Sequence, residues 1–301
     1  MEKKIPEINK NTFRHRWLSI AKNFKFLPDE QFVKILYECY TTKKLDLENP
    51  ITFNQKLQWY KLYHKNPLFT TLVDKYRVRD WVKEKIGEQY LNTLLGHYTH
   101  PDEIDYESLP NQFVLKGVHG SSMHIIVKDK ATFDTKSARK VMLGWQAKDY
   151  FIKSREWPYK NVPRDIIAEA YMEEPGRDVL NDYKIFCFDG EPHFTQVDLE
   201  RGIEDYRCFY DNNWKKLPFF TVKNVKYQGD VPQPEKLEEM LDIARTLSAG
   251  IPFVRVDLYA INGKTIFGEM TFFPTGGLKL FTPLEWNTTI GDYFTLPEKI
   301  V

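Results

Sequence analysis

The 301-residue sequence predicts an α+β fold, on three observations. The first ninety residues carry helical periodicity and no convincing strand. After Leu94 the texture changes to short apolar runs separated by glycine-bearing turns. Two of those turns, Asp189-Gly190 and Asn262-Gly263, are dipeptides suited to a type I′ hairpin, whose central residues both take positive φ.

Composition bounds the rest. Lys+Arg 43 against Asp+Glu 42 leaves a net charge of +1, so bulk electrostatics give no reason to expect nucleic acid or an anionic membrane as the main partner. Aromatic residues make up 15% of the chain, which argues against disorder. Cys39, Cys187 and Cys208 are odd in number and widely spaced, which fits a reducing compartment better than a disulfide or zinc frame. No apolar signal core follows the charged start, and no run approaches a membrane span. The expectation is a cytoplasmic protein.

Taken in order, residues 1–27 are basic and aromatic (Phe13, Arg14, His15, Arg16, Trp17), either an arm packing elsewhere or a frayed end. Pro28-Asp29 opens a helix with Phe32, Val33, Leu36 and Cys39 at amphipathic spacing. Thr52-Phe-Asn-Gln55 is a capping-box pattern, starting a second helix over 53–63. A third is expected over 68–86, stopped by Gly87. Strands are expected over 96–99, 112–116, 125–127 and 166–172, with a loop at 117–124 and a helix over 133–149. Runs 183–188 and 193–197 flank Asp189-Gly190, and Cys208 to Tyr210 lead into a third turn at 211–214. A helix over 234–249 presents Leu237, Met240, Leu241, Ala244 and Leu247 on one face and closes at Gly250. The predicted division is a helical region over 1–93, a central lobe over 94–172 and a C-terminal lobe over 173–301.

The chemistry concentrates in the last hairpin, over 252–277. Strand side chains alternate with period 2, so Arg255 shares a face with Asp257, and Glu269 with Thr271. Pairing around Asn262-Gly263 brings Asp257 beside Glu269, with Thr271 next. Two carboxylates and a third oxygen on one face would hold a hard divalent ion, typically Mg²⁺ bridging to nucleotide phosphates. The plain alternative is a half-solvated hairpin whose acids face water, although both stand in apolar runs where unpaired charge is costly.

Upstream, Lys116 ends a strand and enters a loop with Gly117, Gly120, Ser121 and Ser122. Glycine lets successive N–H groups converge on an anion, hydroxyls add donors, and the lysine supplies a point charge for phosphate. This differs from the P-loop, in which Gly-Lys-Ser/Thr opens a helix; an ordinary hairpin loop is the alternative. His119 and His124 are either ligands or solvated loop histidines. Glu169-Ala-Tyr171-Met172 is an ordinary strand end, or one whose backbone pairs with an adenine edge. Asp182 and Lys184 share a strand face, placed for ribose and phosphate or as a surface ion pair. Arg155 to Tyr159 offers an arginine fork to an anion, or is a loop pinned by Trp157.

The order of these pieces is Asp74-Lys75, then Lys116 with its loop, Glu169, Arg255-x-Asp257 and Glu269-x-Thr271. It resembles the ATP-grasp superfamily. More closely it resembles the TupA-like ATP-grasp branch, named for a protein of teichuronopeptide synthesis. Thr-Phe-Asn-Gln-Lys-Leu-Gln-Trp (52–59), Leu-Val-Asp-Lys-Tyr (72–76), Arg-Glu-Trp-Pro-Tyr-Lys-Asn (155–161), Phe-Val-Arg-Val-Asp-Leu-Tyr (253–259) and Phe-Gly-Glu-Met-Thr-Phe-Phe-Pro (267–274) fit that branch.

What the resemblance implies is an ATP-grasp fold, two α+β lobes clamping ATP, with helices in place of the open α/β domain that precedes many such pairs. Lys75 and Lys116 would be the nucleotide lysines. His119, Gly120, Ser121 and Ser122 would cover the phosphates, Glu169, Tyr171 and Met172 would hold adenine, and Asp182 the ribose. Asp257 and Glu269 would bind Mg²⁺, with Thr271 where the superfamily usually has Asn. Arg255 would steady the transferring phosphoryl group, and with Lys116 is the expected catalytic pair.

The implied activity is ATP- and Mg²⁺-dependent ligation of a carboxylate to an amine through an acyl phosphate. The setting would be cell-surface (capsule-type) polysaccharide biosynthesis, with an amino acid or similar amine joined to a sugar acid, peripheral to a polysaccharide assembly complex. A glycosyltransferase using a nucleotide sugar is the rival, against which the lack of Asp-x-Asp counts; a non-catalytic nucleotide-binding scaffold is the second. The sequence departs from the branch at Gly117-Val118, where Cys-Asn is common, at Ser122 for Gly, and at Thr275-Gly276-Gly277 for a Gly-Ser-Gly type.

Overall fold

The computed structural model describes residues 20, 24, 26–174, 180–199, 206–221 and 229–300; the basic aromatic stretch at 13–17 lies outside them. Helices lead. α1 (Asp29–Thr41) buries Phe32, Val33, Leu36 and Tyr37. α2 (Phe53–Tyr63) begins at the capping box read from the sequence: the Gln55 N–H donates to Thr52 Oγ1, and Gln55 Oε1 accepts from the Thr52 N–H.

The single helix expected over 68–86 is instead two, α3 (Leu68–Val73) and α4 (Val78–Lys85). The break lies at Asp74, which is extended (ψ 112°) and whose carboxylate accepts from the N–H groups of Tyr76 and Arg77. An aspartate that satisfies the first donors of a new helix competes with continuation of the old one. The break frees Lys75 from the helical path.

Next come β1 (Leu94–Tyr98), β2 (Phe113–Gly117), β3 (His124–Val127), α5 (Thr135–Gln146), the single turn α6 (Phe151–Ser154) and β4 (Ile166–Ala170). The strands form an antiparallel sheet of order β1-β4-β2-β3. Its core joins Phe113, Leu115, Ile166 and Ala168 to Met142 and Trp145 of α5. β4 stops two residues short of the expected strand because Ala170 pairs with Phe113, where β2 begins, and the ladder offers Tyr171 no partner.

The rest of the chain supplies β5 (Asp182–Phe188), β6 (Glu191–Leu199), β7 (Tyr206–Asp211), β8 (Phe220–Thr221), α7 (Leu237–Ser248), β9 (Phe253–Ile261), β10 (Lys264–Thr271), β11 (Phe281–Thr282) and α8 (Trp286–Asp292). Five of these strands form a second antiparallel sheet, β10-β9-β5-β6-β7. Its tight hairpins turn where the sequence predicts: Asp189 and Gly190 have φ of 49° and 83°, Asn262 and Gly263 of 50° and 69°.

This sheet has two different faces. Cys187 points toward α7, its Sγ 3.9 Å from the Ala244 carbonyl. The opposite face meets α2, where Phe53 packs its ring against Phe186, Phe188 and Phe253. Leu57, Tyr60, Phe69, Leu72, Val78 and Val82 belong to the same hydrophobic core as the sheet, so α2, α3 and α4 pack with the C-terminal sheet. Val33 and Tyr37 of α1 pack instead with Trp59 and Leu62 of α2. Among the described residues no helix is long and apolar enough to cross a membrane.

Candidate active site

The β9–β10 register pairs Asp257 with Glu269 and Arg255 with Thr271. A bulge between Phe267 and Glu269 takes up one residue, Gly268, and sets Glu269 opposite Asp257. Gly268 suits the bulge because a Cβ there would stand 3.0 Å from the Asp257 carbonyl oxygen. Arg255 and Asp257 share a face and form a fork: Nε donates to Oδ1 and Nη2 to Oδ2, both at 2.6 Å. Lys184 Nζ reaches Asp257 Oδ2 at 2.8 Å and Asp182 Oδ2 at 2.9 Å.

These are not surface charges. Asp257 and Asp182 are 2% exposed and Lys184 6%, which overturns both the half-solvated hairpin and the surface pair for Asp182 and Lys184. Burial drives the Lys184 ammonium toward neutrality, but Asp257, Asp182 and Asp198 together outweigh it and raise the pKa. Charges this deep are tolerable only because each is paired.

Glu269 is different. It is half-buried, its nearest cations, Lys75 Nζ and Arg255 Nη2, each stand at 3.6 Å, and Thr271 Oγ1 donates to it at 3.3 Å. Burial raises its pKa, but Lys75, then Arg255 and Lys184, more than offset this and hold it down to about 2. The carboxyl is therefore anionic across the physiological range. A depressed folded pKa stabilises the fold fully above about pH 4.5, and that contribution is lost as the pH falls toward 2. Wild type is expected to lose melting temperature between those values more steeply than Glu269→Gln. Parallel acid limbs in the two thermal titrations would show that Glu269 titrates normally.

The loop after β2 is pinned from three sides. Lys75 Nζ donates to the Gly120 carbonyl at 2.7 Å, Ser121 Oγ and Tyr150 Oη are hydrogen-bonded at 2.7 Å, and the Val118 N–H donates to the Asp165 carbonyl. A Cβ on Gly120 would come within 2.6 Å of the Tyr150 ring, so only glycine fits. Ser122 has φ 58°, a conformation that glycine adopts at lower cost. His119 corrects both readings of it. It is 2% exposed and donates from Nε2 to the Trp145 carbonyl, and burial lowers its pKa, so it is a neutral side chain turned into the lobe. His124 is exposed at the start of β3.

Lys116 Nζ donates to Glu169 Oε2 at 2.6 Å, and Arg79 Nη1 donates to Glu169 Oε1 at 3.0 Å. Glu169 is thus a buried anchor for two cations, one of which, Arg79, the sequence reading missed. Its backbone lies inside the ladder, paired with Leu94 and Val114. Tyr171 and Met172 are half-buried past the end of β4, with Lys128 Nζ 5.9 Å from the centre of the Tyr171 ring. The neighbouring Ala170 carbonyl already accepts from Asn92 Nδ2. Arg155 does not present its fork to the cleft: its guanidinium lies over Phe32, and Nε stands 2.9 Å from Asp29 Oδ1.

A second group that the sequence reading missed is the polar stripe of α2. Asn54 Nδ2 donates to the Gly277 and Lys279 carbonyls, Gln58 Nε2 to Gly276 and Gly277, and Lys61 Nζ to Gly276 at 2.7 Å. All three side chains are at most 1% exposed. They hold the turn at Pro274–Gly277, where Thr275, Gly276 and Gly277 all have positive φ. Burial brings the Lys61 pKa down to about 8, opposed by buried Glu156. The signal was three polar residues at i, i+4 and i+7, one stripe of the helix, blurred by Gln55 and Lys56 beside it.

The corner suits a magnesium–nucleotide better than a bare ion. Three donors already occupy Asp257, which has about four lone-pair sites, whereas Glu269 has no cation within hydrogen-bond reach among the described residues. No group of three or more His, Cys, Asp or Glu among those residues is placed to hold a metal by itself. Glu269, Thr271 and the remaining site on Asp257 fit an Mg²⁺ that takes its other ligands from phosphates and water, as this ion commonly does.

The model of the family described as TupA-like ATPgrasp matches residues 55–295. No curated protein matches. Among solved structures, a D-alanine–D-alanine ligase from Helicobacter pylori is 13% identical over 74% of this chain and 61% of its own, with a TM-score of 0.40. A D-alanine–D-alanine ligase from Bacillus anthracis complexed with ATP is 12% identical over 67% and 54%, with a TM-score of 0.36. The ATP-grasp ligase PsnB, complexed with a phosphomimetic variant of its minimal precursor, Mg and ADP, is 11% identical over 79% and 63%, with a TM-score of 0.41. The chain spans about half the length of the first solved structures it matches.

Proposed function

Because the chain belongs to the TupA-like ATP-grasp family and has the α+β ATP-grasp fold, we propose that it is an ATP- and Mg²⁺-dependent ligase joining a carboxylate to an amine through an acyl phosphate. The observation that carries this reading is the position of Lys75. Its ammonium lies 2.7 Å from the loop carbonyl of Gly120 and 3.6 Å from Glu269, so one cation spans the glycine loop of the first sheet and the acid corner of the second. A phosphate chain lying there would meet the loop on one side and Arg255 on the other.

In the proposed reaction a carboxylate oxygen attacks the γ-phosphorus of ATP, the bond to ADP breaks, and an acyl phosphate forms. The amine nitrogen then attacks the acyl carbon, phosphate leaves, and the nitrogen loses a proton to give the amide. Bound Mg²⁺ would neutralise charge on the transferring phosphoryl group. Arg255, held rigid by its fork to Asp257, aims positive charge at the same group without needing to reorganise. Lys116, positioned by Glu169, serves the nucleotide phosphates. Tyr171 and Met172 would hold the base and Asp182 the ribose. The lobe at 94–172 closes on that at 173–301.

The family's namesake branch supports a sugar acid as the acid and an amino acid as the amine, in cell-surface polysaccharide assembly. Calorimetry with MgATP tests the nucleotide site. Lys116→Ala keeps Glu169 paired to Arg79, so the fold should persist while affinity falls roughly tenfold or more, the scale of one charge-assisted hydrogen bond. Unchanged affinity would remove Lys116 from the site.

A further inference from the structure

On the ligase reading, we infer that Arg79 is a positioning residue of the nucleotide site: by sharing Glu169 with Lys116, it leaves the lysine's charge free for the ATP phosphates. Arg79 is the second residue of α4, four positions after Lys75. The break at Asp74 that turns Lys75 toward the Gly120 carbonyl also starts the helix whose first turn carries Arg79. α4 packs with the C-terminal sheet through Val78 and Val82, whereas Lys116 and Glu169 stand on β2 and β4 of the first sheet. One arginine thus carries charge from the helical layer to the first sheet.

Its guanidinium is held at both amino groups. Nη1 donates to Glu169 Oε1 at 3.0 Å and Nη2 to the Asn92 carbonyl at 2.7 Å. The segment that accepts from Nη2 is itself tied down. Asn92 Nδ2 donates to the Ala170 carbonyl at 2.9 Å, and the Ala170 N–H donates to the Thr93 carbonyl at 3.0 Å. A rigid planar fork fixed at two points has few ways to turn, so one oxygen of Glu169 is committed to Arg79. The other oxygen takes Lys116 Nζ at 2.6 Å. The side chains of Glu169, Arg79 and Lys116 are 9%, 15% and 28% exposed. Lys116 is the open end of the trio.

Charge decides what the open end can do. With Arg79 present, two cations share one carboxylate, and the trio carries one net positive charge. An ammonium has three donors and Glu169 takes one, so Lys116 can keep that contact and still meet phosphate oxygens. Without Arg79 the remaining pair is neutral, and Lys116 is the last cation on a buried carboxylate. Drawing the lysine toward phosphate would then strip a buried acid of its partner, which is costly. Arg79 therefore acts on Lys116 through Glu169, with no contact to the nucleotide required.

The test is a double-mutant cycle, read by calorimetry with Mg²⁺ and a non-hydrolysable ATP analogue. Arg79→Gln should weaken binding roughly tenfold, the scale of one charge-assisted hydrogen bond. Its circular dichroism spectrum should be unaltered, because Glu169 keeps Lys116. Glu169→Gln alone, whose amide oxygen can still accept from Lys116, should stay within about threefold of wild type. In the Glu169→Gln background, Arg79→Gln should weaken binding less than about twofold, since no carboxylate remains to hold Lys116 back. A strut of the fold would instead show the same loss in both backgrounds. Equal losses, no loss in Arg79→Gln alone, a comparable loss in Glu169→Gln alone, or an unfolded Arg79→Gln would each overturn the inference. Failure of wild type to bind the analogue would overturn the ligase reading on which it rests.

Discussion

Glu269→Gln is expected to lower ATP turnover roughly 10²–10³-fold, the scale of losing one preorganised electrostatic group, with an unaltered circular dichroism spectrum. Fold and chemistry separate here because the carboxylate is half-buried and its cations stand at 3.6 Å, so glutamine keeps the shape and the Thr271 contact while losing the charge. That charge is the one in this corner left open to a cation arriving with the nucleotide. Turnover that persists at saturating Mg²⁺ would show that Glu269 plays no part in holding the metal–nucleotide.

Asp257→Ala should instead break the fold's electrostatics. Lys75, Lys184 and Arg255 face Asp182, Asp257 and Glu269 in one connected network, three charges of each sign. Removing Asp257 leaves Arg255 and Lys184 buried with their shared partner gone. Breaking a buried pair from one side typically costs about 3–5 kcal/mol, against less than about 1 kcal/mol for an exposed pair. Urea unfolding should show a loss of that larger size for Asp257→Ala and a much smaller one for Glu269→Gln. Similar small losses in both would mean that water reaches the pair.

The contrast between these two acids also marks how far the sequence could be read. It is the bulge at Gly268 that brings them together, since unbroken pairing from Ile261 and Lys264 would set Asp257 opposite Gly268. The pairing of Arg255 with Asp257 on one face, and of Glu269 with Thr271, followed from period-2 alternation, and the turn took the positive φ values that the dipeptide requires. The capping box at Thr52 and the apolar face of α7 were legible for the same reason, since both are written within a few residues. The different tasks of the two acids were not legible, because Lys184 reaches Asp257 from 73 positions away and Arg79 reaches Glu169 from 90. Spacing says nothing about such partners. The break at Asp74 was hidden by helical periodicity that continues on both sides of it. The inward turn of His119 depends on a carbonyl of α5, and the grip of α2 on the turn at Pro274–Gly277 joins residues more than two hundred positions apart. Departures that read as simple substitutions, Ser122 and Thr275, gained physical content once both proved to have positive φ.

The central claim is carboxylate activation by ATP, and one measurement tests it most directly. Purified protein is incubated with MgATP, a panel of uronic acids and their nucleotide-linked forms, and hydroxylamine in place of the amine. Products are scored as ADP, inorganic phosphate and hydroxamate. The account predicts ADP and phosphate only when the correct acid is present, with hydroxamate formed in equal amount because hydroxylamine intercepts the acyl phosphate. Consumption of a nucleotide sugar with ATP untouched would contradict it.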